Sequence, residues 1–195
     1  LDAALGSGAF VVDLRSTEHF TRAHVPCTIS IAATADNFST YVGWFVNYDE
    51  PISIIVPSLD QTEALLSALR AIGVDEISGY CGPEVVEGQL DALPVITAEE
   101  LAVRQTHNGD VIVDVRGRSE YDEEHIVGAR HIPLGFIPRH VEDIPRDHPV
   151  VLQCASGYRS AIATSLLRAR GFDNAVNLDA GTEVWSKVLA TESDQ

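Results

Sequence analysis

Methionine is absent from the 195 residues, and lysine occurs once, as Lys187. Without methionine the sequence does not begin at an initiator residue, so it reads as a piece of a longer chain or as a processed one. Long hydrophobic runs are missing too. No apolar stretch approaches the roughly 20 residues of a membrane span. The opening "LDAALGSGAF" has no basic segment ahead of an apolar core, so no signal peptide is expected. Positive charge is scarce: 13 Lys and Arg stand against 29 Asp and Glu, a net charge of −16. Such a surface repels phosphate backbones and anionic lipid, which argues against nucleic acid and membrane as partners. The three cysteines, Cys27, Cys81 and Cys154, lie far apart with no CxxC pair. That is neither a disulfide framework nor a zinc pattern, and it suits a reducing cytoplasm. Seven histidines are scattered without HxH or HExxH, so no metal site is expected.

The sequence does contain short runs rich in Val and Ile: "AFVVDL" (9–14), "ISIIV" (52–56), "VIVDV" (111–115), "VVLQ" (150–153) and "AVNL" (175–178). Helix-like stretches separate them. Continuous apolarity in short strands predicts parallel sheet covered by helices on both faces, an α/β fold. A hydrophobic content of 45% in this arrangement fits a globular protein.

The chain is also written twice. "FVVDLRSTEHFTRAHVPCTISI" (10–31) aligns without a gap on "VIVDVRGRSEYDEEHIVGARHI" (111–132). Asp13 falls on Asp114, Arg15 on Arg116, Phe20 on Tyr121 and His24 on His125. "ALLSALRAIGV" (64–74) aligns on "IATSLLRARGF" (162–172), and "GPEV" (82–85) on "GTEV" (181–184). The period is domain-sized, so two tandem domains are expected, 1–93 and 94–195. Pro94 ends the first, and Thr97 with Glu100 reads as a capping box opening the next helix. The first domain starts partway through the helix that "EELAVRQ" forms in the second, so it looks truncated at its N-terminus.

In the second unit Cys154 stands between an apolar strand and a helix expected from about Ser160. Ile162, Leu166 and Ala169 mark that helix's buried side, and Gly171 its left-handed stop. Ala155, Ser156, Gly157, Tyr158 and Arg159 form the intervening loop. Small residues let the backbone curl with its N–H groups inward, and the helix N-terminus adds partial positive charge. The loop should stabilise a thiolate or a group bonded to it, which makes Cys154 a nucleophile. Arg159 completes a Cys-x4-Arg spacing, one residue shorter than the Cys-x5-Arg of protein-tyrosine phosphatases. The shorter loop fits a single sulfur atom better than a tetrahedral phosphate.

"CASGYRS", with "DVRGRSEYDEEHIVGARHIPL" before it and "NLDAGTEVW" after it, resembles the rhodanese-like sulfurtransferases, and the likeness covers nearly all of both units. The resemblance implies two tandem rhodanese-like α/β domains and a double displacement. Cys154 would take a sulfane sulfur from thiosulfate or a low-molecular-weight persulfide and pass it to a thiol or cyanide. The persulfide is transient, and no cofactor is implied. The N–H groups of residues 155–159 would hold it, and Arg159 would either attract an anionic donor or only pin the loop. Glu124 and Val127 depart from the family's usual Gly-His-Ile-Pro-Gly-Ala around His125.

In the first unit Val56 takes the place of Cys154, and "PSLDQTE" replaces the loop. Pro57 lacks a donor and Asp60 brings negative charge, so this unit is expected to be a catalytically inactive scaffold or docking unit. The Asp13–Arg15 and Asp114–Arg116 pairs, like His24 and His125, occur in both units and are expected to be architectural. Trp185 is expected to be a packing anchor, and Cys27 and Cys81 buried structural thiols, with a resolving cysteine as the alternative. An inactive unit ahead of "CASGYRS" also resembles the C-terminal part of metallo-β-lactamase-fold/rhodanese fusions, which implies an upstream metallo-hydrolase or persulfide dioxygenase domain. Two rival readings stay open: a phosphatase or arsenate reductase on the same scaffold, and a carrier module that holds sulfur without turnover.

Overall fold

The computed structural model describes residues 1–6, 8–87, 90–105 and 109–194. The chain divides into two compact units, Leu1–Ala92 and Leu93–Gln195. Unit one contains strands β1 (Phe10–Asp13), β2 (Ile29–Ser30), β3 (Ile52–Ile55) and β4 (Ile77–Cys81). Its helices are α1 (Asp2–Gly6), α2 (Thr17–Arg22), α3 (Phe38–Phe45) and α4 (Thr62–Arg70). Unit two contains β5 (Val95–Ile96), β6 (Val111–Asp114), β7 (His125–Ile126), β8 (Arg130–His131), β9 (Val150–Gln153), β10 (Ala175–Leu178) and β11 (Thr191–Glu192). Its helices are α5 (Ala98–Gln105), α6 (Arg118–Glu123), α7 (Tyr158–Arg168) and α8 (Thr182–Val188). No helix among the described residues is long and apolar enough to cross a membrane.

Each unit carries a parallel sheet, in the order β2-β1-β3-β4 in unit one and β5-β10-β9-β6-β8 in unit two. The apolar runs fall on these strands. Val150, Val151 and Leu152 are fully buried, as are Val12 and Ile55. Each such side chain contributes about 1.5–3 kcal/mol relative to exposure, which outweighs weak local propensity in strands this short. In unit two Leu101, Ile112, Tyr121, Ile126, Val151, Leu178 and Trp185 form one core cluster. At the start of α5, Glu100 N–H donates to Thr97 Oγ1 at 3.1 Å, and Thr97 N–H donates to Glu100 Oε2 at 2.9 Å. That reciprocal pair satisfies two otherwise orphaned donors.

The central strands repeat their register. Asp13 pairs with Ile55 in unit one, and Asp114 with Gln153 in unit two. Leu14 N–H donates to Ile55 O at 2.8 Å, as Val115 N–H donates to Gln153 O at 2.9 Å. Ile31 N–H donates to Asp13 O and Ile132 N–H to Asp114 O, both at 3.0 Å. Continuing one residue past β3 and β9 sets Val56 opposite Cys154 in this comparison. Unit two has an additional edge strand, β5, with no counterpart among the described residues of unit one.

Two expectations about α7 are corrected. It begins at Tyr158, two residues before the expected start, so Tyr158 and Arg159 lie in the first helical turn and not in the loop. It is also buried from Ser160 to Leu167 rather than along one face, with Ala169 only partly covered. Its hydroxyls make that burial tolerable. Ser160 Oγ donates to Gly157 O, Thr164 Oγ1 to Ser160 O and Ser165 Oγ to Ile162 O. A polar side chain bonded to its own helix backbone leaves no unsatisfied group in the core.

Candidate active site

In unit two the chain leaves β6 toward β8 on one side and returns as β9 on the other. Loops diverge at such a switch point and open a crevice at the carboxyl ends of the strands. Cys154 follows β9 at that place. Its side chain is fully buried, and its carbonyl is fixed by two donors, Gln153 Nε2 at 2.9 Å and Trp185 Nε1 at 3.4 Å. Trp185 therefore positions the cysteine backbone as well as packing the core. The guanidinium of Arg116 lies 5.2 Å from its ring centroid.

Gly157 N–H points back at the sulfur and donates to Cys154 Sγ at 3.2 Å. Gly157 holds φ at +84° to do so, a left-handed conformation that costs other residues about 1–2 kcal/mol. Ser160 Oγ stands 3.3 Å from Sγ and 3.2 Å from Gly157 O. Its single proton thus faces two acceptors. The first turn of α7 adds its partial positive charge at the same place. The turn after β10 closes over the loop. Thr182 N–H donates to Ala155 O at 2.9 Å, and a Cβ on Gly181 would stand 3.0 Å from that oxygen. A side chain there would press on that oxygen, so the close approach favours glycine.

Arg159 does not lie open to the crevice. Its Nη1 and Nη2 each donate to a different oxygen of Glu120 at 2.7 Å. Glu120 also accepts from Gly117 N–H at 3.0 Å. The Arg159 guanidinium, with the Gly117 N–H and the charge of Arg116, holds the Glu120 carboxyl at about 2, against its ordinary 4.5, in spite of partial burial. Because the folded value lies below the ordinary one, the pair's contribution is full above about pH 4.5 and is lost as pH falls toward 2. Glu120 is partly exposed, so the contribution is about 1 kcal/mol or less. Glu120→Gln should therefore lower the urea midpoint at neutral pH, and the gap to the parent should narrow below about pH 4.5 and close only as pH falls to about 2. An equal gap at both pH values would mean that charge pairing contributes nothing.

The repeated ion pairs are architectural, as expected. Arg116 clamps Asp114 through Nε and Nη2, the latter at 2.6 Å, and Nη2 also donates to Glu124 O at 2.6 Å. Arg15 makes the same contacts to Asp13 and Ala23 O. His125 stacks on Tyr121 with Nδ1 at Tyr121 O, and His24 stacks on Phe20 with Nδ1 at Phe20 O.

The other cysteines differ from expectation. Cys27 is exposed and Cys81 only partly buried, so neither is a buried core thiol. Cys27 holds φ at +66° where unit two has Gly128 at +77°, which turns its side chain outward from the tight turn. Unit one ends its central strands differently from unit two. Val56 is fully buried, a short 3-10 turn (Leu59–Gln61) replaces the loop, and Ser58 Oγ donates to Asp60. Thr62, in the place of Ser160, buries Oγ1 without a hydrogen-bond partner. A cavity of about 610 Å³ remains at this end, lined in part by Ser16, His19, Thr34, Pro57 and Gln61.

Residues 97–188 match the family described as the Rhodanese-like domain. Thiosulfate sulfurtransferase GlpE of Stutzerimonas stutzeri is 34% identical over 86 residues, which are 44% of this chain and 79% of that protein. The chain belongs to the rhodanese-like family. A protein named Sulfurtransferase from Allochromatium vinosum is 34% identical over 93 residues, 47% of this chain and 87% of its own length. A crystal structure of a rhodanese-like domain protein from Staphylococcus aureus aligns with a TM-score of 0.45 at 34% identity, covering 48% of this chain and 91% of that one. The rhodanese-like match spans the Cys154 loop, Glu120, Ser160 and Trp185. Of these, Glu120 and Ser160 escaped the sequence reading of the site. A glutamate three residues after Gly117 and a serine directly after Arg159 were the available signals.

Proposed function

We propose that this chain is a sulfurtransferase in which Cys154 takes a sulfane sulfur, becomes a persulfide, and hands the sulfur to a thiol or cyanide. The observation that carries the reading is Gly157 N–H donating to Cys154 Sγ at the N-terminal end of α7. That geometry aims a backbone donor at the sulfur, and Ser160 Oγ lies within hydrogen-bond distance of the same atom. The thiolate attacks the outer sulfur of the donor, and the donor's sulfur–sulfur bond breaks. With thiosulfate the leaving group is sulfite; with a hydropersulfide it is a thiolate, which takes up the proton released by the transferred sulfur and departs as a thiol. Attack of an acceptor on the terminal sulfur regenerates the thiolate. In this reading the backbone of Ala155, Ser156, Gly157, Tyr158 and Arg159 would hold that terminal sulfur, with the Arg159 side chain held by Glu120.

Unit one supports a second part of the proposal. Its register, ion pair and stacked histidine repeat those of unit two, so we read the two as tandem copies of one domain, the first without a nucleophile. The fusion to an upstream metallo-hydrolase or persulfide dioxygenase domain rests on the order of an inactive unit before an active one. The cytoplasmic location rests on three unpaired thiols.

Turnover assays with a persulfide donor and a thiol acceptor test the reading against its rivals. Sulfur transfer is expected with no aryl phosphate hydrolysis, since the loop is too short to surround a tetrahedral oxyanion. Phosphatase turnover would overturn it. Stoichiometric loading of Cys154 without turnover would assign a carrier.

A further inference from the structure

The charges around the Cys154 loop bear on which donor it accepts, given the sulfurtransferase reading above. Residues 155–158 include no cation, which leaves Arg159 as the basic group of this segment. Its guanidinium is taken up by Glu120 through two contacts of 2.7 Å. Arg116, the next guanidinium, is buried and clamped by Asp114. Each of these two guanidiniums is thus matched by a carboxylate. Asp179 then adds charge to the rim. It is exposed, and a Cβ placed on Gly157 would stand 4.0 Å from its Oδ1. The chain as a whole carries −16. A dianion approaching this loop meets a local field of its own sign.

We propose that the donor matched to Cys154 is a low-molecular-weight hydropersulfide whose organic part is uncharged or cationic, and that Asp179 and Glu120 discriminate against oxyanion donors such as thiosulfate. In the favoured reaction the Cys154 thiolate bonds to the outer sulfur of R–S–SH. The S–S bond breaks, R–SH leaves with the proton, and Cys154 keeps one extra sulfur and one negative charge. No oxidant or reductant enters. In the disfavoured reaction the same attack expels sulfite, so two anions must meet and a dianion must leave through the same rim. Asp179 acts on the approach and departure of the charged group rather than on the sulfur.

The test compares kcat/KM for thiosulfate and for 2-aminoethyl hydropersulfide in the intact chain and in Asp179→Asn. The parent should prefer the ammonium-bearing persulfide. Asp179→Asn should raise kcat/KM for thiosulfate about tenfold at low ionic strength, because removing one negative charge beside Gly157 weakens the repulsion of both charges of a dianion. It should lower the value for the ammonium donor. The gain with thiosulfate should shrink as salt rises from about 0.01 M to about 1 M. Glu120→Gln should shift the same ratio in the same direction. A parent that prefers thiosulfate, or an Asp179→Asn variant with an unchanged donor ratio at low salt, would overturn this inference while leaving sulfur transfer intact. Failure of Cys154 to accept sulfur from either donor would instead overturn the sulfurtransferase reading, and the donor inference with it.

Discussion

Cys154→Ser should reduce sulfur turnover to background, a loss on the order of 10³-fold or more, while Cys27→Ser and Cys81→Ser retain it. The substitution keeps the size of the side chain and its place beside Gly157 N–H. It replaces the nucleophilic sulfur with a hydroxyl, and a serine cannot carry sulfane sulfur. The other two thiols have no comparable surroundings. Cys27 is exposed on a tight turn and Cys81 ends an edge strand, neither at the start of an α-helix. Turnover with a persulfide donor, measured for all three variants, checks the assignment. Residual activity in Cys154→Ser would move the chemistry elsewhere, and loss in Cys27→Ser or Cys81→Ser would restore the resolving-cysteine reading.

The second large effect concerns stability. Arg116→Met should destabilise the fold by about 3–5 kcal/mol, since it leaves Asp114 charged, fully buried and without its clamp. Glu124 O would lose its donor as well. Arg15→Met should cost a similar amount through Asp13, because the contacts are duplicated. Urea unfolding of both single variants measures this. The double variants Asp114→Asn/Arg116→Met and Asp13→Asn/Arg15→Met should recover part of the loss, because the stranded charge is gone. A cost below about 1 kcal/mol for either single variant would place that pair among ordinary surface ion pairs.

The strands were legible because each needed only a short buried apolar run between helices. "VVLQ" and "AVNL" became β9 and β10 at their expected limits. The capping box at Thr97 was legible for a local reason, since its partners are three residues apart. The extent of α7 was not. Its start depends on Gly157 adopting a left-handed cap, and its burial on Ser160, Thr164 and Ser165 turning their hydroxyls back onto the helix. A polar residue in sequence does not announce that it will satisfy itself in the core. Within the site, Cys154 and its loop followed from composition and spacing. Glu120 did not, because it reaches Arg159 from a different helix. That one contact changes the part Arg159 plays, from an open cation to one already neutralised. Asp179 was likewise invisible, because only the folded turn after β10 brings it beside Gly157.

The orphaned hydroxyl of Thr62 carries the comparison of the two units further than sequence could. A residue in the place of Ser160 has kept its hydroxyl, while Val56 in the place of Cys154 offers it nothing. Buried hydroxyls normally find partners, and this one is left unsatisfied where Ser160 has both the Gly157 carbonyl and the Cys154 sulfur within reach.

Peptide mapping by mass spectrometry tests the central claim most directly. The intact chain is exposed to a persulfide donor, desalted and digested under non-reducing conditions, with a second sample first treated with excess thiol acceptor. The peptide that holds Cys154 should carry one added sulfur in the first sample and none in the second, while the peptides of Cys27 and Cys81 stay unmodified in both. Added sulfur on Cys27 or Cys81 with Cys154 unmodified would contradict the account.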